Sequence, residues 1–113
     1  DLEFFNNYSL LLHKEFPSIT WRAILGYKLS EFGYREMSFR GSFESKSKKF
    51  YILTPAFFRD GIHCHLFRAD RGDQRIDPEL NKKLFGNINK NFFFSQDTDD
   101  FIKKLHDVVK ELE

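Results

Sequence analysis

The stretch EMSFRGSFESKSKKFYILTPAFFRDGIHCHLFR, residues 36–68, decides the fold class because apolar and polar residues alternate at residues 36–44 and 62–68. A period of two is typical of strands that bury one face. These two segments are predicted to be strands, and the apolar run at 50–58 between them is predicted to be a third. The polar run at 45–48 and the triplet Arg59-Asp60-Gly61 have the composition of turns. Because both connections are short, the neighbouring strands are expected to be antiparallel.

Other segments limit or extend this sheet. Pro55 has no N–H to donate to a neighbouring strand, so we expect it at a strand end, at a bulge or on an edge. Residues 69–75 are mostly charged and are expected to form a loop. A fourth strand is predicted over residues 88–94, a run that ends in three phenylalanines.

The N-terminal part of the chain carries apolar residues three or four positions apart, which predicts helices with one buried face. The first helix is expected over residues 2–16. A second is expected to begin at Ser18 or Thr20 and to run to Phe32, with Gly33 as its left-handed C′ residue.

Two more helices are predicted in the C-terminal part from their capping residues. Asp77 and Pro78 suit the N-cap and first position of a short helix that Gly86 ends. Ser95 or Asp97 can cap the last helix, whose apolar stripe continues to the end of the chain.

The predicted order is ααβββαβα, an α+β two-layer sandwich in which a mainly antiparallel four-stranded sheet carries helices on one face. Fifteen Phe, four Tyr and one Trp supply apolar surface for the core between the layers. We expect residues 1–113 to form a single domain, and the missing initiator Met indicates a fragment of a larger protein.

Composition indicates a folded, cytoplasmic protein. The hydrophobic fraction of 41% and the charged fraction of 31% argue against disorder. The single cysteine, Cys64, excludes an internal disulfide, which fits a reducing compartment. No apolar run approaches the roughly 18 residues that span a membrane. No P-loop or Gly-x-Gly-x-x-Gly motif is present, so no cofactor is expected.

Three triplets suggest chemistry, and each has a structural interpretation that we favour. His63 and His65 share one face of a strand and could bind a metal ion, but no third ligand stands out, and Cys64 between them is expected in the core. Glu44-Ser45-Lys46 resembles half of a magnesium-dependent nuclease site, yet Lys46 falls in a turn. Arg71-Gly72-Asp73 is interpreted as an ordinary loop turn. We therefore predict no catalytic and no metal-binding residues.

Basic residues are the remaining candidates for a binding site. The net charge is +1, but residues 21–94 contain 14 Lys and Arg against 8 Asp and Glu, while both ends are acidic. Such an excess can mark a partner with negative charge, or it can be balanced by acidic helices of the same fold. The predicted binding residues are Arg40, Lys46, Lys48, Lys49, Arg59, Arg68, Arg71 and Arg75.

The sequence thus leads to three functional hypotheses. The first is a non-catalytic recognition domain that binds a protein partner through its sheet or hairpin. The alternative is a nucleic-acid-binding domain that uses the basic hairpin and the arginine-rich loop. The third is a metal-dependent nuclease or hydrolase. No membrane partner is expected, and the sequence does not specify an oligomeric state.

Overall fold

A computed structural model describes residues 2–29, 35–70 and 73–113 of the chain. These residues form three helices and six strands: α1 (Leu2–Glu15), β1 (Thr20–Leu29), β2 (Arg35–Glu44), β3 (Phe50–Phe58), β4 (Gly61–Asp70), β5 (Asp73–Arg75), α2 (Pro78–Phe85), β6 (Phe92–Ser95) and α3 (Thr98–Leu112). The predicted α+β class with a mainly antiparallel sheet is confirmed. Gly33, Arg71 and Gly72, all singled out above, lie outside the described residues.

The strands form one antiparallel sheet. β1, β2, β3 and β4 follow one another across it, and the outer side of β4 pairs with two further strands. β6 lies beside the first half of β4, where Ile62 faces Ser95. β5 lies beside the end of β4, where Ala69 faces Gln74. β1 pairs with β2 and forms the opposite edge.

The helix predicted between residues 18 and 32 is wrong, because β1 occupies most of that segment. Its apolar residues fit the helical period, but the segment pairs with β2 from Thr20 opposite Ser42 onward. Cross-strand contacts and the burial of Trp21 in the core outweigh the local pattern. Strand formation depends more on such packing than on intrinsic preference, and sequence spacing alone does not show it.

The sheet has six strands rather than the four predicted. β1 replaces the second helix, and β5 forms within the segment expected to be a loop, where the chain turns back along the end of β4. The strand predicted over residues 88–94 is shorter and is shifted toward its C-terminal end, at Phe92–Ser95.

Pro55 lies inside β3, in the interior of the sheet, and not at any of the positions predicted for it. β3 pairs with β4 along its whole length. On the other side, the pairing with β2 is interrupted between Ser38 opposite Ala56 and Gly41 opposite Leu53. The missing N–H of Pro55 is therefore accommodated by a gap in the β2–β3 ladder.

The core lies between one face of the sheet and the helices, as predicted. Leu12 of α1 and Phe101 and Leu105 of α3 are fully buried against Phe39 and Leu53 of the sheet. Three apolar residues of α2 pack against the same cluster: Leu80, Leu84 and Phe85. No helix among the described residues packs on the opposite face of the sheet.

The caps predicted for the last two helices are confirmed. Asp77 Oδ1 accepts a hydrogen bond from the N–H of Leu80 at 3.2 Å, and Gly86 ends α2 with a left-handed φ of 79°. Asp97 Oδ1 accepts from the N–H of Asp100 at 2.8 Å, so Asp97 rather than Ser95 caps α3.

Candidate functional site

The face of the sheet opposite the helices is here called the open face. Along each strand its side chains alternate with those of the core. They are Thr20, Arg22, Ile24, Ser38, Arg40, Ser42, Glu44, Phe50, Ile52, Thr54, Ala56, Phe58, His63, His65, Phe67, Ala69, Phe92 and Phe94. This set mixes charged, small, aliphatic and aromatic side chains, and it is not distributed evenly.

Aromatic rings gather on the β4 side of the open face. His63 lies 4.8 Å from Phe58 and 5.0 Å from Phe94, measured between ring centroids. His65 lies 5.2 Å from Phe92 and 6.3 Å from Phe67, with which it is stacked. These six residues form the aromatic cluster. Its rings are half-buried or exposed and present a continuous π surface to solvent.

Cations gather on the β1 side of the open face. Arg22 and Arg40 face each other directly across the β1–β2 ladder and form the arginine pair. Within the described part of the chain, no carboxylate forms an ion pair with either guanidinium. Like charges at directly opposed positions of a sheet are destabilising. The arginine pair therefore concentrates positive charge that the described side chains do not neutralise.

Small side chains separate the arginine pair from the aromatic cluster. Thr54 faces His65 and Ala56 faces His63 in the β3–β4 ladder. The register on both sides of the Pro55 gap aligns Arg40 with Thr54. Since adjacent strands are about 4.8 Å apart, the Cα atoms of Arg40 and His65 are roughly 10 Å apart. The open face thus has a shallow floor with a cationic side and an aromatic side.

His63 is held by a carboxylate from the turn before its strand. Its Nε2 lies 3.1 Å and 3.2 Å from the two carboxylate oxygens of Asp60. This contact assigns the proton to Nε2 and leaves Nδ1 for another partner.

His65 has a different environment. It is flanked by two aromatic rings, and neither of its ring nitrogens forms a hydrogen bond within the described ranges. Partial burial lowers the pKa of His65 from its usual value, and the neighbouring His63 lowers it further. His65 is therefore neutral at pH 7, with an acceptor nitrogen that a ligand can use.

The basic residues predicted to bind a partner do not form one patch. Arg40 lies on the open face, but Arg59 lies in the β3–β4 turn, at the opposite end of the sheet from the hairpin that carries Lys46, Lys48 and Lys49. Arg68 points to the helix side of the sheet and lies 3.6 Å from Asp77.

Several of these cations already contact carboxylates. Lys46 lies 3.8 Å from Glu113 and Lys48 lies 3.6 Å from Glu44, both as exposed pairs. Arg75 lies 2.5 Å from Asp70. Of the predicted binding residues that the structure describes, Arg40 is the one that shares a face with the aromatic cluster.

The structure describes two of the three triplets singled out in the sequence in full, and the third, Arg71-Gly72-Asp73, lies mostly outside the described residues. Ser45 is buried in the β2–β3 hairpin, where its hydroxyl accepts a hydrogen bond from the N–H of Lys49 at 3.1 Å. Cys64 is buried in the core, whereas His63 and His65 share the open face. Among the described residues, no group of three His, Cys, Asp or Glu side chains could hold a metal ion.

A groove of about 580 Å³ lies on the helix side, between α2 and α3. Leu84, Phe93 and Val108 contribute apolar surface to it, and Lys83 lies 3.0 Å from Glu111 across it. Its charges are thus of both signs and partly paired. The cations of the open face are less neutralised by neighbouring carboxylates than those of the groove. The open face is therefore the stronger candidate for the functional site.

Two parts of the open face were missed by the sequence analysis. Arg22 was assigned to a helix, so its position opposite Arg40 could not be foreseen. The phenylalanines were interpreted mainly as core residues, although Phe58, Phe67, Phe92 and Phe94 belong to the aromatic cluster. The alternation of His63, His65 and Phe67 along one strand was the available signal for that cluster.

Comparison with known proteins adds no identification. No protein-family model matches the chain, and neither curated proteins nor solved structures give a significant match. Within the described residues, no helix is both long and apolar enough to cross a membrane.

Proposed function

We propose that this protein is a cytoplasmic recognition domain that binds single-stranded nucleic acid across its open face. Bases stack on the aromatic cluster, and the arginine pair contacts phosphates. The observation that supports this most is the presence of both groups on one face, separated by a floor of small side chains.

The chemistry of a single strand suits this arrangement. Aromatic side chains bind unpaired bases by stacking, and flanking cations follow the backbone. Lys90 adds to the positive charge, since its Nζ lies 5.4 Å from the ring centroid of Phe92. The face is a sheet without a protruding helix, which favours a flexible strand over the major groove of a duplex.

Uncompensated arginines argue for an anionic ligand. Repulsion between Arg22 and Arg40 lowers stability in the free protein, and a bound phosphate relieves it. Each phosphate that replaces a counterion also makes binding dependent on salt.

A protein partner, the first hypothesis from the sequence, is our second candidate. It is favoured by apolar side chains at the margins of the open face, since Phe50 is 51% exposed, Phe58 40% and Ile24 37%. Such a partner would bind with little salt dependence, and Phe58→Ser would weaken it more than Arg22→Ser. Isothermal titration calorimetry against a candidate partner measures both.

Fluorescence anisotropy with a labelled single strand of about 12 nucleotides tests the first proposal, since single-strand-binding domains of the OB fold, a different fold, cover roughly 4–16 nucleotides. We expect binding at low salt, with log K falling linearly with log salt. The slope should decrease by about 0.7 for each phosphate contact that is removed. Phe92→Ala should weaken binding by about 1–3 kcal/mol through lost stacking.

The discriminating variants are Arg22→Ser with Arg40→Ser, compared with Arg75→Gln. Arg75 is also an exposed strand arginine, but it is paired with Asp70 and lies away from the open face. Loss of affinity in the double variant and not in Arg75→Gln supports the proposal. Absence of binding at low salt, or equal losses in both, would overturn it.

A further inference from the structure

We infer that the His63–His65 pair cleaves the bound strand when it is RNA, by metal-independent transfer of the phosphoryl group to the neighbouring 2′-hydroxyl. The inference rests on the proposed function, because the strand must lie across the open face. It adds a reaction and a substrate class that binding alone does not imply.

The two imidazoles have the spacing that such a reaction needs. Residues i and i+2 of a strand point to the same side and are roughly 7 Å apart along it. A phosphodiester group between them can therefore contact one ring on each side. Such a pair can act as general acid and general base if the two rings differ in protonation.

Their surroundings differ in the required way. Asp60 contacts Nε2 of His63 through both carboxylate oxygens and so holds the ring in place. When both ring nitrogens carry a proton, the one on Nδ1 is not engaged by Asp60. His65 has no acid beside it, and burial keeps its ring neutral at pH 7. His63 is thus the acid, His65 is the base, and Asp60 is a positioning residue.

The charged groups near the pair are few. His65 is faced by Thr54 from β3, by Phe92 from β6, and by His63 and Phe67 from its own strand. His63 is faced by Ala56 from β3, by Phe94 from β6, and by Phe58 and Asp60 at the preceding turn. Lys90 approaches through Phe92. Asp60 is the one carboxylate among the described residues that contacts either ring.

The arginine pair supplies the electrostatic part of the site. Arg40 is aligned with Thr54, which faces His65, so its long side chain can extend over a small residue toward the phosphate. A guanidinium there stabilises the charge that develops on the non-bridging oxygens. Arg22, directly opposite Arg40, adds to that charge from the neighbouring strand.

The reaction balances with these residues alone. His65 takes the proton of the 2′-hydroxyl, and the 2′-oxygen forms a bond to phosphorus. The bond from phosphorus to the 5′-oxygen breaks, and His63 gives its Nδ1 proton to that oxygen. The products end in a 2′,3′-cyclic phosphate and a 5′-hydroxyl. His65 then loses a proton to water and His63 gains one, which restores the starting state.

The experiment incubates the protein with a single-stranded RNA of about 12 nucleotides and with the DNA of the same sequence, both in EDTA. We expect the RNA to be cut into fragments with cyclic phosphate and 5′-hydroxyl ends. The DNA should be bound and left intact, because it has no 2′-hydroxyl.

Variants identify the residues and exclude a contaminating ribonuclease. His63→Gln and His65→Gln should each lower the cleavage rate by about 100-fold or more, since general acid or base catalysis contributes about 10²–10⁴. Circular dichroism should show that both variants are folded, and both should still bind the DNA strand, with an affinity lowered by the loss of one stacking ring. His13→Gln is the matched control, because His13 is exposed on α1 and bonded within its own helix. It should cleave like the unmodified protein.

Asp60→Asn and Asp60→Glu test the positioning residue. The cleavage rate should fall in Asp60→Asn, because the ring of His63 loses the carboxylate that holds it, and Asp60→Glu should restore part of the rate. In the unmodified protein the rate should rise with pH as His65 loses its proton.

Each result decides the inference. RNA that is bound but intact overturns cleavage and leaves the proposed function standing. Cleavage that persists in His65→Gln assigns the activity to a contaminant and also overturns it. If neither strand is bound, the proposed function fails and the inference fails with it.

Discussion

The indole of Trp21 in β1 packs over Gly41 in β2. The two residues face each other in the β1–β2 ladder, and a Cβ built on Gly41 would come 2.6 Å from Cζ3 of the indole. The glycine therefore makes room for the ring of a buried tryptophan on the edge strand. We expect Gly41→Ala to lower the free energy of unfolding by about 1–3 kcal/mol, because the ring and the strand must move apart. Urea denaturation measures the change.

Trp21→Leu provides the test of that mechanism. If the indole is the obstacle, Gly41→Ala should be much less harmful in the Trp21→Leu background, a coupling that a double-mutant cycle detects. Ser42→Ala, at the next position on the open face, should change stability little. An unchanged unfolding free energy for Gly41→Ala would contradict the packing described.

The arginine pair predicts a variant that gains stability and loses binding. Arg22→Glu replaces a like-charged cross-strand pair by an opposite-charged one, which should raise the free energy of unfolding by about 0.2–1 kcal/mol. The same change should weaken oligonucleotide binding. Thermal unfolding and anisotropy measure the two effects, and added salt should shrink both. If Arg22→Glu were less stable than the unmodified protein and bound the oligonucleotide equally well, the role of the pair would be contradicted.

His65 predicts a pH dependence of stability. Its pKa in the folded chain lies below the ordinary value of 6.5, because burial and the neighbouring His63 disfavour the charged ring. The unfolded chain therefore binds the proton more tightly, and acidification favours unfolding. This contribution is absent well above pH 6.5 and grows as pH falls from there to the pKa of the folded state.

Urea denaturation from pH 7 downward measures that dependence. His65→Gln should flatten the fall in unfolding free energy within this window, whereas His13→Gln should leave it unchanged. If His65→Gln gave the same slope as the unmodified protein, the protonation of His65 would not be linked to folding.

Cys64 predicts a thiol that reacts only when the sheet opens. It is fully buried, and burial raises the pKa of the thiol strongly. Since the thiolate is the reactive form, a disulfide reagent such as Ellman's should modify the native protein far more slowly than the protein in guanidinium chloride. Equal rates in the two conditions would place Cys64 at the surface instead.

The parts of the fold that local sequence determines were predicted. The alternation at residues 36–44 and 62–68 identifies β2 and β4, since each side chain's face follows from a period of two, and the apolar run between two turns identifies β3. Asp77 and Asp97 identify the starts of α2 and α3, because a capping carboxylate acts on backbone N–H groups only three residues away.

The parts that depend on distant residues were not predicted. Whether residues 20–29 form a helix or a strand is decided by β2, which no spacing within the segment shows. Arg22 was therefore separated from Arg40, and half of the candidate site was lost with it. The excess of basic residues could be counted in the sequence. That these residues lie at both ends and on both faces of the sheet could not be predicted from it.

The aromatic cluster joins two segments that are far apart in sequence. His63, His65 and Phe67 belong to β4, whereas Phe92 and Phe94 belong to β6, which follows α2 in the chain. Strands β2 to β4 can pair through short turns, but β6 must close a loop of about thirty residues, an entropic cost that slows its docking. We therefore expect the aromatic cluster to be completed after the central hairpins have formed. Local detachment of β6 would abolish it while leaving the central hairpins intact.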